Sequence, residues 1–329
     1  MSYYPGPGDW LLSLSATIGV LSLCALVAVP WLAAHLRFWG EREGRKSDLA
    51  AAVLLGRWGK FCLAAAFFFG ALSFHLASAR YPSELFSAAI LLAPVLAAVP
   101  LFLTAWGGLF RLSENSSSRA GCGVLRDVAA GIAALAVAAA SAGLFAAVTH
   151  KSLWPQIRQG PFFVFGSYPF LYGMAFAVLA SVVTGGVLVM LIGRRSFRWE
   201  SGGSVPQGAR LIRMGAFPAL LATILLALLA SVWGLLEGLT PIRAVTFSGR
   251  PLLLFMGVFV VTGVVGLIEL FVSILIWKGN APRASVVVAA LMFATLFCLV
   301  SVLIWNAPAR ARGLADPAPA GTRVMPGAK

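Results

Sequence analysis

Two of the three histidines stand near the ends of long apolar runs, where they could bind a metal. His75 lies near the end of the run 58–80, and His150 closes the run 127–150. Imidazole is a usual axial ligand of haem iron, and the interior of a helical bundle is a common cofactor site. If both runs are helices on the diagonal of one up-and-down bundle, their axes lie roughly 13 Å apart. We therefore predict that His75 and His150 could ligate one haem b.

The same positions also suit histidines that only meet the membrane surface. His150 is followed by Lys151, as at a helix end in water, and neither histidine belongs to a specific motif. His35 sits beside Arg37 at the end of the first run, and we interpret it as interfacial. No CxxC or CxxCH sequence occurs, which excludes a covalently attached haem c and a cysteine-based zinc or iron–sulfur site.

Glu269 is the one acid deep inside an apolar run, in the sequence GVVGLIELFVSILIW. An ionisable group at such a depth is costly and is by default a hypothesis of function. It could carry protons, pair with a cation, or donate a hydrogen bond as the neutral acid. The alternatives are a purely structural hydrogen bond to a neighbouring helix and a glutamate whose carboxylate extends towards the cytoplasmic side.

The elements that carry these residues are membrane helices. Hydrophobic residues form 60% of the chain and charged residues 11%, against about 25% in a soluble domain. A helix needs about 20 apolar residues to cross the hydrocarbon core. Eight runs satisfy this, namely 10–36, 58–80, 84–110, 127–150, 168–193, 211–236, 251–277 and 284–305. We predict an all-α polytopic membrane protein with eight transmembrane helices.

The net charge of +14 sets the orientation of these helices. The segments 37–60, 111–126, 194–213 and 278–283 carry sixteen Lys and Arg residues, and the alternate connections carry five. This bias predicts a multi-pass protein of the inner (cytoplasmic) membrane with both termini outside. The basic surface then meets lipid headgroups, and we expect no nucleic acid as a partner.

A short repeat indicates that the eight helices form two units. The sequence RWGKF at 57–61 returns as RMGAF at 213–217, 156 residues later. Each is expected to open an even-numbered helix after a basic loop, the first of these loops being 37–60. We predict two tandem four-helix bundles, 1–155 and 156–306, followed by an external disordered tail, 307–329. A chance match between similar helix starts is the alternative.

With these features the chain resembles subunit I of the cytochrome bd-type quinol oxidases. The resemblance rests on RWGKFCLAAAFFFGAL, on the aromatic connection 151–167 before the fifth run, and on VVTGVVGLIELFVSILIWKGNAP. That family places haem ligands or proton carriers on its first, third and fifth helices. The corresponding stretches here, GDWLLSLS, SAAILLAPVLAAVPLFLTAWGGL and YPFLYGMAF, contain neither a histidine nor a glutamate. The resemblance thus implies a relative degenerate in haem ligands, with at most one haem.

We predict an integral membrane subunit of a respiratory electron-transfer complex. It would link the quinone pool to an external redox partner, for example a multihaem cytochrome, within a quinol-linked oxidoreductase. By position alone, quinone could bind near Trp154, Arg158 and Arg243. Two other interpretations stay open, a haem-free scaffold subunit of such a complex and a proton-coupled transporter that uses Glu269.

Overall fold

The computed structural model describes residues 7–79, 120–150, 153–199, 207–236, 287–297 and 300. Within these ranges the chain is helical. The helices are α1 (Pro7–Arg42), α2 (Lys46–Ser78), α3 (Ala120–Thr149), α4 (Trp154–Gln159), a 3-10 helix (Pro161–Gly166), α5 (Tyr168–Trp199), α6 (Gln207–Leu236) and α7 (Val287–Phe297). The predicted spans 84–110 and 251–277, with Glu269, lie outside the described residues, as do Arg243 and the tail 307–329.

Five of the described helices are long and apolar enough to cross a membrane. They are α1, α2, α3, α5 and α6, with apolar spans of 22 to 33 residues. They correspond to the predicted runs 10–36, 58–80, 127–150, 168–193 and 211–236. The all-helical membrane fold is therefore confirmed for the described part of the chain, and the total of eight spans stays a prediction.

The segment 37–60, expected to be a loop, is mostly helical. α1 continues to Arg42 and α2 begins at Lys46, so a three-residue turn joins them. Gly44 has φ +66° in this turn, a conformation that glycine adopts without a Cβ clash, and the Arg45 N–H donates to the Gly40 carbonyl at 2.8 Å. Hydropathy marks the apolar part of a helix, whereas Arg, Lys and Glu continue a helix well.

The RxGxF repeat consequently lies inside its helices and does not open them. Eleven residues of α2 precede Arg57, and six residues of α6 precede Arg213. Both central glycines, Gly59 and Gly215, are buried, and Gly215 meets Gly186 of α5.

Two antiparallel hairpins, α1–α2 and α5–α6, form the framework. A Cβ on Gly19 would lie 3.4 Å from the Gly70 nitrogen, and one on Gly40 would lie 3.0 Å from the Leu49 side chain. These contacts define the register of the first hairpin. In the second hairpin, Gly186 and Gly193 of α5 face Gly215 and Gly208 of α6.

α1 is the central helix, because α2, α3 and α5 all pack against it. One apolar cluster joins α1 with α5, α6 and α7, through residues such as Cys24, Phe176, Ala219 and Met292. A second cluster joins α1 with α2 and α3, and it also takes in residues of α5 and α6. Packing on α1 thus holds both hairpins together.

Candidate functional site: buried charges at one end of the bundle

The turn between α1 and α2 and the starts of α3 and α6 meet at one end of the bundle, here called the basic end. Two acids are buried there, Asp48 with 2% of its surface exposed and Asp127 with 3%. Asp48 lies in the first turn of α2, where a carboxylate also interacts favourably with the helix dipole. Both acids are close to arginines, so the basic end contains buried charge pairs.

Asp127 pairs with Arg37. The Arg37 Nε atom lies 2.8 Å from Asp127 Oδ2, and only 20% of the arginine side chain is exposed. The arginine also packs along α3 at Gly123, one turn before Asp127, where a Cβ would lie at an ordinary contact distance of 3.5 Å from the Arg37 Cδ and Nη1 atoms. This pair ties α3 to the central helix α1.

Asp48 pairs with Arg210. The Arg210 Nη1 atom donates to Asp48 Oδ2 at 3.2 Å, and Arg45 Nη1 lies 4.0 Å from the same oxygen. Arg45 also pairs with Glu43 in the turn. Because Asp48 belongs to α2 and Arg210 to α6, this contact ties the first hairpin to the second.

The two pairs differ in how far water can weaken them. Arg210 is 42% exposed, so solvent screens its charge, and such pairs contribute about 1 kcal/mol or less. Arg37 and Asp127 are both mostly buried, and removing one partner from such a pair costs about 3–5 kcal/mol. Loss of one partner should therefore cost more at the Arg37–Asp127 pair, between α1 and α3, than at the Asp48–Arg210 pair.

Sequence reasoning did not single out Asp48 or Asp127. Asp48 fell in a predicted loop, and Asp127 beside Arg126 had the pattern of a helix start at the membrane surface. One signal was available, the scarcity of acids, with only eleven Asp and Glu residues in 329. In so apolar a chain, each acid near a span end is a candidate for a buried pair.

The structure places His75 and His150 at the end opposite the basic end. His75 lies in the last turn of α2 and is exposed. Ser73, two residues earlier, donates to Ser15 of α1 at 3.0 Å, so His75 projects from the other side of α2. His150 follows α3 directly and is half-buried, and its N–H donates to the Ala146 carbonyl at 3.1 Å.

A haem bound by two histidines needs both imidazoles to face one pocket. Here α2 and α3 pack on α1, and the imidazole of His75 lies on the face of α2 turned away from α1. The described residues do not bring the two imidazoles to one pocket between these helices, and the haem b at His75 and His150 stays a prediction. Among the described residues, no group of three His, Cys, Asp or Glu side chains could hold a metal ion. His35 is exposed beside Trp39, as expected of an interfacial residue.

The connection 151–167, expected to be an aromatic loop, contains two short helices. α4 and the 3-10 helix place Ile157 and Val164 against Ala146 and Ala147 at the end of α3. Trp154 and Arg158 belong to α4, but their side chains lie outside the described part of the structure. The quinone site at Trp154, Arg158 and Arg243 therefore stays a prediction.

Comparison with known proteins identifies the fold. No protein-family model matches the sequence, and no curated protein matches it. Among solved structures, the chain is similar to the bd oxidase from Geobacillus thermodenitrificans, with a TM-score of 0.67 and 12% sequence identity. The match covers 94% of this chain and 86% of that chain. The chain thus has a bd oxidase-like fold, which confirms the resemblance at the level of architecture.

Proposed function

We propose that this chain is a membrane-embedded subunit of a respiratory electron-transfer complex. The observation that carries the proposal is the fold shared with a bd oxidase over 94% of this chain. A fold hosts many functions, so the role within such a complex must be argued from the chain's own residues.

The described residues favour a haem-free scaffold role. The charges at the basic end pair between helices, and the interior around α1 is filled by apolar side chains. A haem between α2 and α3 would need His75 on the side of α2 that faces α1, but His75 lies on the opposite side. A chain built in this way holds transmembrane helices in a fixed arrangement and supports the partners that carry the redox chemistry.

The second candidate role is that of a subunit that carries a single haem b. It is favoured by one observation, that α2 and α3 end on the same side of the bundle and so bring His75 and His150 to similar depth. In that form, electrons from quinone near Trp154, Arg158 and Arg243 pass to an external redox partner.

A reduced-minus-oxidised absorbance spectrum separates the two forms. The full chain is purified from its own membranes in mild detergent, alone and with its partners, and treated with dithionite. For a scaffold we expect no b-type α-band from the isolated chain. A band that is lost in both His75→Ala and His150→Ala, but kept in the matched variant His35→Ala, would overturn the scaffold role and establish the haem-carrying form.

A further inference from the structure

Glycine contacts determine the level of the bundle at which each arginine of the RxGxF repeat lies. In the first hairpin, Arg57 and Leu32 each lie thirteen residues from the Gly19–Gly70 contact, counted towards the turn. They are therefore opposite each other, and the level of Arg57 is that of Leu32 in the central helix α1.

The second hairpin determines the level of Arg213 in the same way. Arg213 and Leu188 each lie two residues from the Gly186–Gly215 contact, counted towards the basic end. Arg213 of α6 is therefore opposite Leu188 of α5.

A contact between α1 and α5 relates the two levels. A Cβ on Gly185 would lie 2.7 Å from Leu32 Cδ1 and 2.8 Å from the Ala28 Cβ, so Gly185 is level with this turn of α1. The residue opposite Arg213 comes three positions later in α5, which runs parallel to α1. Arg57 and Arg213 consequently lie within about 3 Å of one common level.

The charge-free part of every described span lies on one side of this level. Lys60 is one turn deeper than Arg57, and a side chain of its length can extend back towards the membrane surface. From Arg57 to His75, α2 rises about 27 Å, close to the hydrocarbon thickness of about 30 Å. Asp, Glu, Lys and Arg are absent from the segments 10–36, 61–78, 128–149, 168–193 and 214–236.

On the other side of the level, the helices continue towards the basic end. α2 has eleven residues before Arg57, α1 has ten after Leu32, and α5 has eleven after Leu188. Each extension is about 15 Å long, whereas the headgroup layer is only about 5–7 Å thick. The basic end with its buried ion pairs thus extends through the headgroup layer into water.

Arg57 and Arg213 are suited to bind phosphate at this level. Both are exposed, and none of the ion pairs among the described residues involves either of them. Guanidinium presents a planar set of donors that matches phosphate geometry. Phe61 and Phe217, one turn deeper, are 74% and 58% exposed, as expected of residues on the hydrocarbon side.

We propose that Arg57 and Arg213 bind the phosphate groups of membrane phospholipids, and that the RxGxF repeat marks the hydrocarbon boundary at the basic end. The level of these arginines depends only on contacts among the described helices, whichever element lies beside α2. The predicted span 84–110 has one acid, Glu84, which is close in sequence to the opposite end of α2. The proposal is independent of any redox role.

The first test measures depth in the membrane. Ala50 and Ala64 are exposed on α2, each seven residues or about 10 Å from Arg57, on opposite sides of the boundary. A fluorinated phenylalanine is placed at one or the other in the full chain, in vesicles of equal amounts of phosphatidylcholine and phosphatidylglycerol. Paramagnetic broadening of its fluorine signal acts through space, so a neighbouring helix does not abolish it.

The two labels should respond to different reagents. We expect a water-soluble gadolinium chelate to broaden the signal at Ala50 most, and a nitroxide on the lipid acyl chains to broaden the signal at Ala64 most. A label at Ala50 that responds most to the acyl-chain nitroxide would place the basic end inside the hydrocarbon and overturn the proposal.

The second test measures lipid affinity of the purified full chain in detergent. Arg57→Gln and Arg213→Gln should each lower the affinity for phosphatidylglycerol about fivefold, and Arg57→Lys should retain most of it. Arg42→Gln is the matched control, because Arg42 ends α1 beyond the headgroup layer and lies over the Trp39 ring. Unchanged affinity in both Gln variants, an equal loss in Arg42→Gln, or equal competition by inorganic phosphate would refute the lipid contact.

Discussion

The two helical hairpins share one register but are held together by different contacts. In α1–α2, Pro30 and Gly59 each lie eleven residues from the Gly19–Gly70 contact, counted towards the turn, and are therefore opposite each other. A shift of 156 residues turns this pair into Gly186 and Gly215, which touch in α5–α6. The shift is the one that relates RWGKF to RMGAF. This agreement supports the proposal that the chain arose from two tandem units.

The contacts within that register have diverged. In α5–α6 the backbones approach closely at glycines, so that a Cβ on Gly186 would lie 2.5 Å from the Gly215 oxygen. In α1–α2 a Cβ on Gly19 would lie at an ordinary 3.4 Å from Gly70, and Ser73 bonds to Ser15. The difference shows that the second hairpin packs closely at small residues, whereas the first adds a hydroxyl contact and is joined to its neighbours by buried charge pairs.

The largest effect is expected at the Arg37–Asp127 pair, which anchors the first hairpin to α3. Arg37→Met should lower the free energy of unfolding by about 3–5 kcal/mol, because it leaves Asp127 buried without its partner. Unfolding in mixed micelles measures this loss. The double variant Arg37→Met with Asp127→Leu should recover most of it, and equal losses in the single and double variants would contradict the assignment.

A larger residue in place of a glycine at the α5–α6 contact should destabilise the second hairpin. Gly186→Val places new atoms against the Gly215 oxygen and the Ala219 Cβ, and should cost about 3 kcal/mol through overpacking. The thermal midpoint in detergent measures the effect. Gly56→Val on α2 is the matched control, since a Cβ at Gly56 meets nothing within 4 Å. Similar midpoints for the two variants would show that the α5–α6 contact is not close.

The Asp48–Arg210 pair, which links the two hairpins, should contribute less to the free energy of unfolding than the Arg37–Asp127 pair. Arg210→Ala removes the partner of Asp48, but the exposed arginine is screened by water, and Arg45 stays near the carboxylate. We expect a loss of about 1 kcal/mol or less, decreasing further at high salt. A loss as large as that of Arg37→Met would contradict the ranking of the two pairs.

The smallest effect is expected at the hydroxyl contact inside the first hairpin. Ser73→Ala removes the hydrogen bond to Ser15, and such bonds between membrane helices contribute about 0.6 kcal/mol. A double-mutant cycle with Ser15→Ala isolates this coupling. Thr17→Ala is a suitable control, because Thr17 bonds only within its own helix, to the Ser13 carbonyl.

The sequence predicted the described membrane helices well, but it misplaced their ends. Hydropathy located the runs that became α1, α2, α3, α5 and α6, because about 20 apolar residues have few alternatives to a membrane helix. The charged segment 37–60 continued both helices, since no apolar signal marks where a polar helix end stops. Asp48 and Asp127 were missed for a related reason, because their burial depends on which helices meet.

The sequence by itself determined the membrane class, the course of the apolar helices and the spacing of the RxGxF repeat. These properties follow from local composition and from comparison of the chain with itself. Only the tertiary structure decided which side of each helix is covered. It paired Arg37 with Asp127 and Asp48 with Arg210, and it placed His75 on the outward face of α2. The physical reason is that helix rotation and neighbour choice are set by packing between helices, which hydropathy along one chain does not record.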